Sequence, residues 1–105
     1  MKGICETAFI TEAKFTQQVK ELANLFGYLF YHTHRSQFSP SGYPDCTLIR
    51  LEPEPRLIFV ELKVGNNQPT IDQYIWLEIL QTIGKPVECY LWYPEDFDTI
   101  CEVLK

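Results

Sequence analysis

The strongest constraint on the fold is a pair of β-type runs separated by a short segment with two prolines. The runs cover Cys46 to Leu51 and Leu57 to Val64, and the segment between them reads Glu-Pro-Glu-Pro-Arg. Because proline lacks the N–H that a strand ladder uses, Pro53 and Pro55 are excluded from either strand. The sequence therefore predicts a β-hairpin whose turn contains both prolines.

The register of this hairpin decides which polar side chains meet. If Leu51 pairs with Leu57, then Asp45 lies opposite Lys63. Odd-numbered residues then share a face, with Glu61 and Lys63 about 6.6 Å apart along one strand and Asp45 about 5 Å across from Lys63. A slip of one residue would send Asp45 to the opposite face. The pattern predicts that two carboxylates and one lysine converge at one end of the hairpin.

The segment before the hairpin has the pattern of a helix followed by a strand. Residues 12 to 26 place apolar side chains on one helical stripe, with Thr11 as the N-cap and Gly27 as the stop. Tyr28 to His32 is then a short aromatic strand, whose side chains we assign to the core or to an interface. Thr33 to Tyr43 is a long loop rich in Ser, Pro and Gly, and such loops often carry function.

The segment after the hairpin predicts a second helix, a strand and a last helix. The second helix opens at Pro69 and runs to about Ile83, and it is apolar nearly all round. We expect it to be buried on both sides, in part against a second subunit. Val87 to Trp92 is the strand and Pro94 to Leu104 the last helix. A helix between the third and fourth strands fits a crossover in a mixed central sheet, so the fold class is α/β.

Length and composition bound the class of protein. The chain has 105 residues, which is one domain, and it contains neither an internal repeat nor a membrane-spanning apolar run. Its first residues lack the apolar stretch of a signal peptide, so we expect a cytoplasmic protein of a bacterium or a phage-infected host, with no membrane partner. Four widely spaced cysteines, without a zinc-type spacing, are expected to be buried thiols (Cys5, Cys46, Cys89 and Cys101).

The net charge of −5 argues against tight, unspecific binding of nucleic acid. The acids, however, crowd the last dozen residues, whereas the segment from Tyr28 to Arg50 holds Arg35, Arg50 and two histidines against the single acid Asp45. We therefore expect a local and modest positive surface.

Cleavage of a phosphodiester requires an attacking water, neutralisation of the phosphate and help for the leaving oxygen. Mg²⁺ or Mn²⁺ supplies all three and prefers oxygen ligands. Asp45 and Glu61 are candidate carboxylate ligands, the backbone carbonyl of Leu62 is the next ligand along the chain, and Lys63 is placed to assist the water and steady the phosphate. Taken singly, the same residues also fit a surface ion pair and a turn aspartate.

The ordered set of motifs resembles a known nuclease family. Gly42-Tyr43-Pro44-Asp45 followed by Glu61-Leu62-Lys63 resembles the PD-(D/E)xK superfamily. With His32-Thr33, the Ser/Pro loop, and Gln73, Trp76 and Leu80, the chain is similar to the stand-alone virus-type replication-repair nuclease (VRR-NUC) domain. The resemblance runs from about Glu12 to the final helix, and it implies a single domain over 1–105. The resemblance implies a restriction-endonuclease-like αβββαβ core, with a mixed sheet flanked by helices and a C-terminal helix.

The resemblance also implies roles for individual residues. Asp45 and Glu61 match the metal ligands and Lys63 the catalytic lysine. Glu12 matches an acid of the first helix that reaches the metal, here through water; its spacing from Phe15 and Val19 puts it on the inward stripe, although an acid is also favoured in any first helical turn.

Four further side chains, Gln73, His32, His34 and Arg35, are candidate contacts to the substrate. Gln73 matches a family glutamine that faces the site, and Thr70 with Gln73 also reads as a capping box. His32, His34 and Arg35 are candidate contacts to DNA, and for each histidine a structural role is the alternative.

The resulting expectation is a Mg²⁺- or Mn²⁺-dependent endonuclease that hydrolyses DNA. The resembled family implies a homodimer that acts on branched DNA such as four-way junctions, and two-fold symmetry suits such a substrate. Two alternatives remain open from the sequence: a non-catalytic nucleic-acid-binding or assembly module that keeps the fold, and a nuclease that acts on RNA.

Overall fold

The helices and strands of the computed structural model follow the order that the sequence predicts. The structure describes residues 10–34 and 40–105. The elements are α1 (Glu12–Leu25), β1 (Leu29–His32), β2 (Cys46–Arg50), β3 (Arg56–Leu62), α2 (Ile71–Ile83), β4 (Val87–Trp92), a 3-10 turn (Pro94–Asp96) and α3 (Phe97–Leu104). The predicted last helix therefore begins with one tighter turn, and the other predicted boundaries differ from those observed by a few residues at most.

The four strands form one mixed sheet in the order β1-β2-β3-β4. The first three strands are antiparallel to one another, and β4 runs parallel to β3. Parallel neighbours need a crossover, and α2 provides it and packs against β4. The predicted α/β class, the αβββαβ order and the C-terminal helix are confirmed.

The register predicted for the hairpin is wrong by two residues. Leu57 pairs with Ile49 and not with Leu51, and Arg56 pairs with Arg50. The turn has five residues, as predicted, but it lies one residue earlier, at 51–55 and not 52–56, and its two prolines stay outside the ladder. A shift of two residues keeps each side chain on its face. One step beyond the last pair, Cys46 with Val60, the same register puts Asp45 opposite Glu61.

The hydrophobic core lies between one face of the sheet, α1 and α3. The even-numbered side chains of β2 and β3 point into it, and α1 contributes the apolar stripe that its spacing predicts. Cys46 is among the fully buried residues and Cys89 is nearly so, as expected, while Cys5 lies outside the described residues. The largest fully buried apolar side chains of this core are Phe15, Leu48, Ile58, Leu62, Ile100 and Leu104.

Helix α2 is buried on one side within the single chain, and the expected burial of its other side against a second subunit stays a prediction. Gln73 and Leu80 are its buried residues. Its outward face carries an isoleucine at every fourth position, a row we call the α2 stripe: Ile71, Ile75, Ile79 and Ile83, which are 51 to 79% exposed. An apolar pattern alone cannot separate a helix buried in its own chain from one with a wide uncovered face.

The first strand and its neighbours follow the expectation in part. Tyr28 is buried and Phe30 is half-buried, whereas Tyr31 is mostly exposed on the edge strand.

Thr11 caps α1, as predicted, since its side chain accepts a hydrogen bond from the Lys14 N–H. Within the described ranges, no helix is long and apolar enough to cross a membrane.

The end of the sheet that holds the hairpin turn contains a cluster of arginines and tyrosines. Arg56 donates hydrogen bonds to both carboxylate oxygens of Glu88, at 2.8 and 2.7 Å, and one to the Tyr28 hydroxyl. Arg50 packs over the Tyr28 ring and donates to the carbonyls of Phe26, Leu104 and Lys105. Arg50 therefore closes helix ends at the hairpin-turn end of the sheet, away from His32 and His34, so it does not share one local positive surface with these histidines as expected.

Candidate active site

The end of the sheet opposite the hairpin turn gathers the polar residues that the sequence singles out. His32 at the end of β1 pairs with Cys46 at the start of β2, which pairs with Val60 near the end of β3. Leu62 in turn pairs with Trp92 at the end of β4. Strand direction therefore brings Asp45, just before β2, to the same edge as Glu61 and Lys63.

Asp45 is held on both sides by backbone hydrogen bonds. Its side chain is 6% exposed, and its Oδ2 accepts a hydrogen bond of 2.9 Å from the Leu62 N–H. Its backbone carbonyl accepts a bond of 2.7 Å from the Thr33 N–H, and the Thr33 hydroxyl donates to the Pro44 carbonyl at 2.8 Å. The hydrogen bond from the buried Leu62 N–H fixes the orientation of the Asp45 carboxylate.

Glu61 and Lys63 lie two residues apart on the same strand face. Glu61 is fully buried, and its Oε2 lies 3.5 Å from the Lys63 Nζ, whose side chain is 15% exposed. A buried carboxylate is costly to desolvate unless charges or dipoles compensate it. At 3.5 Å the contact is longer than a charge-assisted hydrogen bond, so the ammonium group is close to Glu61 without a tight bond to it.

The thiol of Cys46 reports the electrostatic field at this edge. Burial raises the pKa of Cys46 first, and the negative charges of Asp45, Glu61 and Glu12 raise it further. Three carboxylates from α1, β3 and the start of β2 therefore act on one buried point. A divalent cation at this edge would be attracted by the same field.

Glu12 occupies a different position from the one its spacing predicts. Its side chain is exposed, not on the inward stripe, because it precedes by almost one turn the first α1 residue of the core, Phe15. Its effect on the pKa of Cys46 nevertheless places the first turn of α1 near the start of β2.

The donor set fits a hard divalent cation with few protein ligands. Among residues 10–34 and 40–105, no group of three His, Cys, Asp or Glu side chains is arranged to hold a metal ion. The water-mediated contact of Glu12 stays a prediction. Mg²⁺ is commonly held by one or two carboxylates, with waters and substrate phosphates completing the shell. Asp45 and Glu61 meet that requirement. The Leu62 carbonyl lies on the same side of β3 as its N–H, which faces Asp45.

Gln73 forms the predicted capping box at the start of α2. Its Oε1 accepts from the Thr70 N–H at 2.8 Å, and the Thr70 hydroxyl accepts from the Gln73 N–H at 3.2 Å. Gln73 is 4% exposed, unusually buried for a residue in a first helical turn. The capping interpretation is confirmed, and a contact to substrate stays a prediction.

The candidate DNA-contacting residues lie beside the same edge of the sheet. His32 and His34 are both exposed, with their ring centroids 6.1 Å apart. Arg35 lies outside the described residues. An exposed imidazole pair next to a buried acidic site is accessible to a phosphate backbone, and the assignment to DNA stays a prediction.

Thr33 and Trp76 belong to the motifs that carry the resemblance, but the contacts by which they support the site were not predicted. Thr33 fixes the backbone of Pro44 and Asp45, and Trp76 donates from its indole N–H to the Ser41 carbonyl at 3.0 Å. Both bonds join residues distant in sequence, so no local pattern predicts them. A hydroxyl residue directly after a strand was the one available signal for Thr33.

Comparison with known proteins supports the fold at the level of structure. A solved structure described as a VRR_NUC domain superimposes with a TM-score of 0.69 at 25% identity, covering 87% of this chain and 94% of that chain. The chain has a VRR-NUC fold. No family model matches the sequence, and no curated protein does.

The VRR-NUC fold is a nuclease-type fold, and the resemblance inferred from the motifs is thereby confirmed. Within this fold, Asp45, Glu61 and Lys63 occupy one edge of the central sheet. Phosphodiester hydrolysis is the chemistry to which such a fold and such a residue set are suited.

Proposed function

We propose that this VRR-NUC domain is a metal-dependent endonuclease that hydrolyses DNA. The observation that carries the proposal is the buried edge where Asp45, Glu61 and Lys63 meet in a nuclease-type fold. Two carboxylates and an ammonium group there cost folding free energy. A site that binds a cation and a phosphodiester explains why the chain carries that cost.

Asp45 and Glu61 would hold the cation, with the Leu62 carbonyl as a further oxygen ligand. When bound, Mg²⁺ or Mn²⁺ supplies positive charge beside the phosphate and makes water a stronger nucleophile. Asp45 keeps its ligating geometry because the Leu62 N–H fixes one of its oxygens. Glu61 sits on the neighbouring strand, so the two ligands have little freedom to lose on binding.

Lys63 would act on the reacting groups themselves. Its ammonium nitrogen lies 3.5 Å from Glu61 and its side chain reaches the surface, so it can approach a phosphate bound at the cation. There it orients the attacking water and stabilises the extra charge of the pentavalent phosphate. Gln73 would present its amide towards the cleaved strand, and Glu12 would contact the cation through water.

The proposed substrate is branched DNA, bound by a homodimer. The α2 stripe supports the dimer, because a row of exposed isoleucines spaced by four residues is self-complementary across a two-fold axis. His32 and His34 would contact the DNA backbone beside the site. Two histidines are few contacts to the DNA backbone. Few such contacts agree with the net charge of −5 and with binding that depends on DNA shape.

Two other functions remain as outcomes of the same test. A non-catalytic module would bind branched DNA without cleaving it. An RNA nuclease would use the same chemistry on a different backbone.

A cleavage assay with matched variants tests the proposal. Purified protein is incubated with single-stranded, duplex, flap and four-way DNA and with a structured RNA, in Mg²⁺, Mn²⁺ or chelator. Lys63→Met and Asp45→Asn should lose cleavage of branched DNA, whereas Lys85→Met, an exposed lysine at the other end of the sheet, should retain it. Cleavage in chelator, or full activity in both site variants, contradicts the mechanism.

The same protein reports on the alternatives and on the cation. Junction binding without cleavage would favour the non-catalytic module, and preference for the structured RNA would favour the RNA nuclease. Titration with Mn²⁺ should give binding to the wild type that Asp45→Asn weakens. Absence of Mn²⁺ binding to the wild type contradicts the assignment of the ligands.

The dimer is tested by sedimentation of Ile75→Glu and Ile79→Glu. Either charge should dissociate a dimer formed through the α2 stripe. Leu51→Glu is the matched control, because Leu51 is 67% exposed but lies in the hairpin turn. A monomeric wild type at micromolar concentration refutes the dimer.

A further inference from the structure

The segment before Asp45 makes an unusually close approach to the start of helix α2. Gly42 has φ of +89°, and a Cβ built on it would lie 2.6 Å from the carbonyl carbon of Asp72 and 2.8 Å from the Gln73 nitrogen. Real Cβ atoms do not come that close to backbone. Only glycine therefore permits this contact, both for its conformation and for the space it leaves.

Aromatic side chains close the same contact from the side. Trp76, one turn further along α2, donates its indole N–H to the Ser41 carbonyl at 3.0 Å. The Tyr43 ring meets the Trp76 ring edge-on at 4.9 Å and the Phe59 ring at 6.3 Å. Such pairs fix the relative position of the elements that carry them.

The docked segment ends at the carboxylate that the site uses. Pro44 is fully buried, and its carbonyl is fixed by Thr33. Asp45 follows directly, with its Oδ2 on the Leu62 N–H at 2.9 Å. The backbone from Ser41 to Asp45 thus has anchors on α2, on the segment after β1 and on β3, outside the core between the sheet, α1 and α3.

We propose that Gly42 and Trp76 are positioning residues, which set the place of the Asp45 carboxylate by docking residues 41–45 on the first turns of α2. The catalytic consequence of this inference rests on the proposed function. The contact also links Asp45 to Gln73, because the Gly42 backbone lies against the peptide that leads into Gln73. A shift of that contact moves a metal ligand and a substrate-facing amide together.

The test compares two glycines of similar conformation. Gly84 has φ of +80°, no atom lies within 4 Å of a Cβ built there, and it ends α2 far from the site. Gly42→Ala and Gly84→Ala therefore share the strain of a positive φ, and Gly42→Ala alone adds the collision with α2. Trp76→Phe is the milder second variant, since it keeps an aromatic ring and removes the indole N–H.

Exchange of the Leu62 amide hydrogen is a readout that does not need activity. It is measured relative to the Leu48 amide in the core, so that a general loss of stability cancels. Gly42→Ala and Trp76→Phe should speed Leu62 exchange about fivefold to tenfold, the effect of weakening one hydrogen bond. Gly84→Ala should leave the ratio unchanged.

Kinetics on branched DNA supply the second readout. Gly42→Ala should lower kcat about 100-fold, as expected for a misplacement of about 1 Å, with KM close to the wild-type value. Trp76→Phe should lower kcat less, and Gly84→Ala should retain it.

The outcomes separate this inference from the proposed function. If Gly42→Ala and Trp76→Phe both fold and the Leu62 exchange rate relative to Leu48 is unchanged in both, the inference is overturned, whatever the cleavage activity. Faster Leu62 exchange in a protein whose wild type cleaves nothing supports the positioning of Asp45 and contradicts the nuclease. Equal losses of kcat in Gly42→Ala and Gly84→Ala overturn the catalytic part of the inference.

Discussion

At one end of the sheet Arg56 holds Glu88 through two hydrogen bonds of 2.7 and 2.8 Å, whereas at the other Lys63 lies 3.5 Å from Glu61. Both pairs combine a carboxylate with a cation on or beside β3. The Arg56 pair is 18 and 20% exposed, while Glu61 is completely buried. The more deeply buried carboxylate thus has the looser contact with its cation.

The Arg56 pair belongs to a network that stabilises the fold. Arg56 also donates to the Tyr28 hydroxyl and to the Val103 carbonyl, and Tyr90 donates to Glu88. The hydrogen bonds from Arg56 hold the pKa of Glu88 below its ordinary value. Burial and the bond to Glu88 raise the pKa of Tyr90 to about 12. Each group has its partner within the chain, so nothing further needs to bind.

The Asp45 end has the opposite electrostatic character. Burial raises the pKa of Cys46 first, and the nearby carboxylates of Asp45, Glu61 and Glu12 raise it further. A cation from solution would reduce the negative field of these carboxylates. The comparison teaches that two carboxylate–cation pairs on one sheet can differ in burial and contact distance, and it agrees with the proposal that the Asp45 end binds a cation.

The largest expected difference between the two ends of the sheet appears when one carboxylate at each end is replaced by its amide. Glu61→Gln should lower kcat by about 10² to 10³, the cost typical of losing one charged group at a reacting centre. Its melting temperature should stay level or rise, because a buried charge is removed. Glu88→Gln should do the reverse, with a lower melting temperature and unchanged kcat. Cleavage rates and thermal melts of both variants measure this, and equal effects of the two changes would break the comparison.

Truncating the arginine of the tight pair should cost stability alone. Arg56→Ala leaves Glu88 without its bidentate donor and should lower the free energy of unfolding by about 2 to 3 kcal/mol. Urea denaturation measures this change. At temperatures where the variant stays folded, cleavage should match the wild type. A variant that loses activity while folded would show that the two ends are coupled.

Low pH should remove the contribution of the Arg56–Glu88 pair to the free energy of unfolding. Because the folded pKa of Glu88 lies below its ordinary value of 4.5, its contribution is present above about pH 4.5 and is lost as the pH falls through the folded value. The difference in unfolding free energy between wild type and Glu88→Gln should therefore be constant near neutral pH and shrink below about pH 4.5. Denaturation curves from pH 3 to pH 7 check it, and a difference that grows in acid has the wrong sign.

The smallest expected effect concerns the tyrosine that accepts from Arg56. Tyr28→Phe removes a buried hydroxyl bonded at 2.6 Å but keeps the ring beneath Arg50. We expect a loss of about 1 kcal/mol in unfolding free energy and no change in cleavage. A neutral result would mean that water replaces the hydroxyl.

Much of the fold could be predicted from local patterns. Apolar periodicity, Thr11 and Thr70 as caps and prolines as breaks give the order of elements to within a few residues. The convergence of Asp45, Glu61 and Lys63 also follows, because a register error of two residues preserves the face. The register itself could not be predicted, since it depends on how a five-residue turn with two prolines closes.

The remaining errors share one cause, the absence of long-range information. Arg50 was assigned to a positive surface because of its neighbours in sequence, yet strand direction carries it to the other end. Glu12 was assigned inward by helical spacing, yet the core begins one turn later. The α2 stripe is exposed in the single chain, and its expected contact with a second subunit stays a prediction.

The sequence by itself determined which residues carry chemistry and which strands present them, because side-chain type and a period of two are local properties. The tertiary structure decided how those residues are held. The Thr33 and Leu62 bonds to Asp45 and the contact of Gly42 with α2 join residues 12 to 31 positions apart. Only chain folding brings such residues within hydrogen-bonding or van der Waals distance, so no local pattern can encode their geometry.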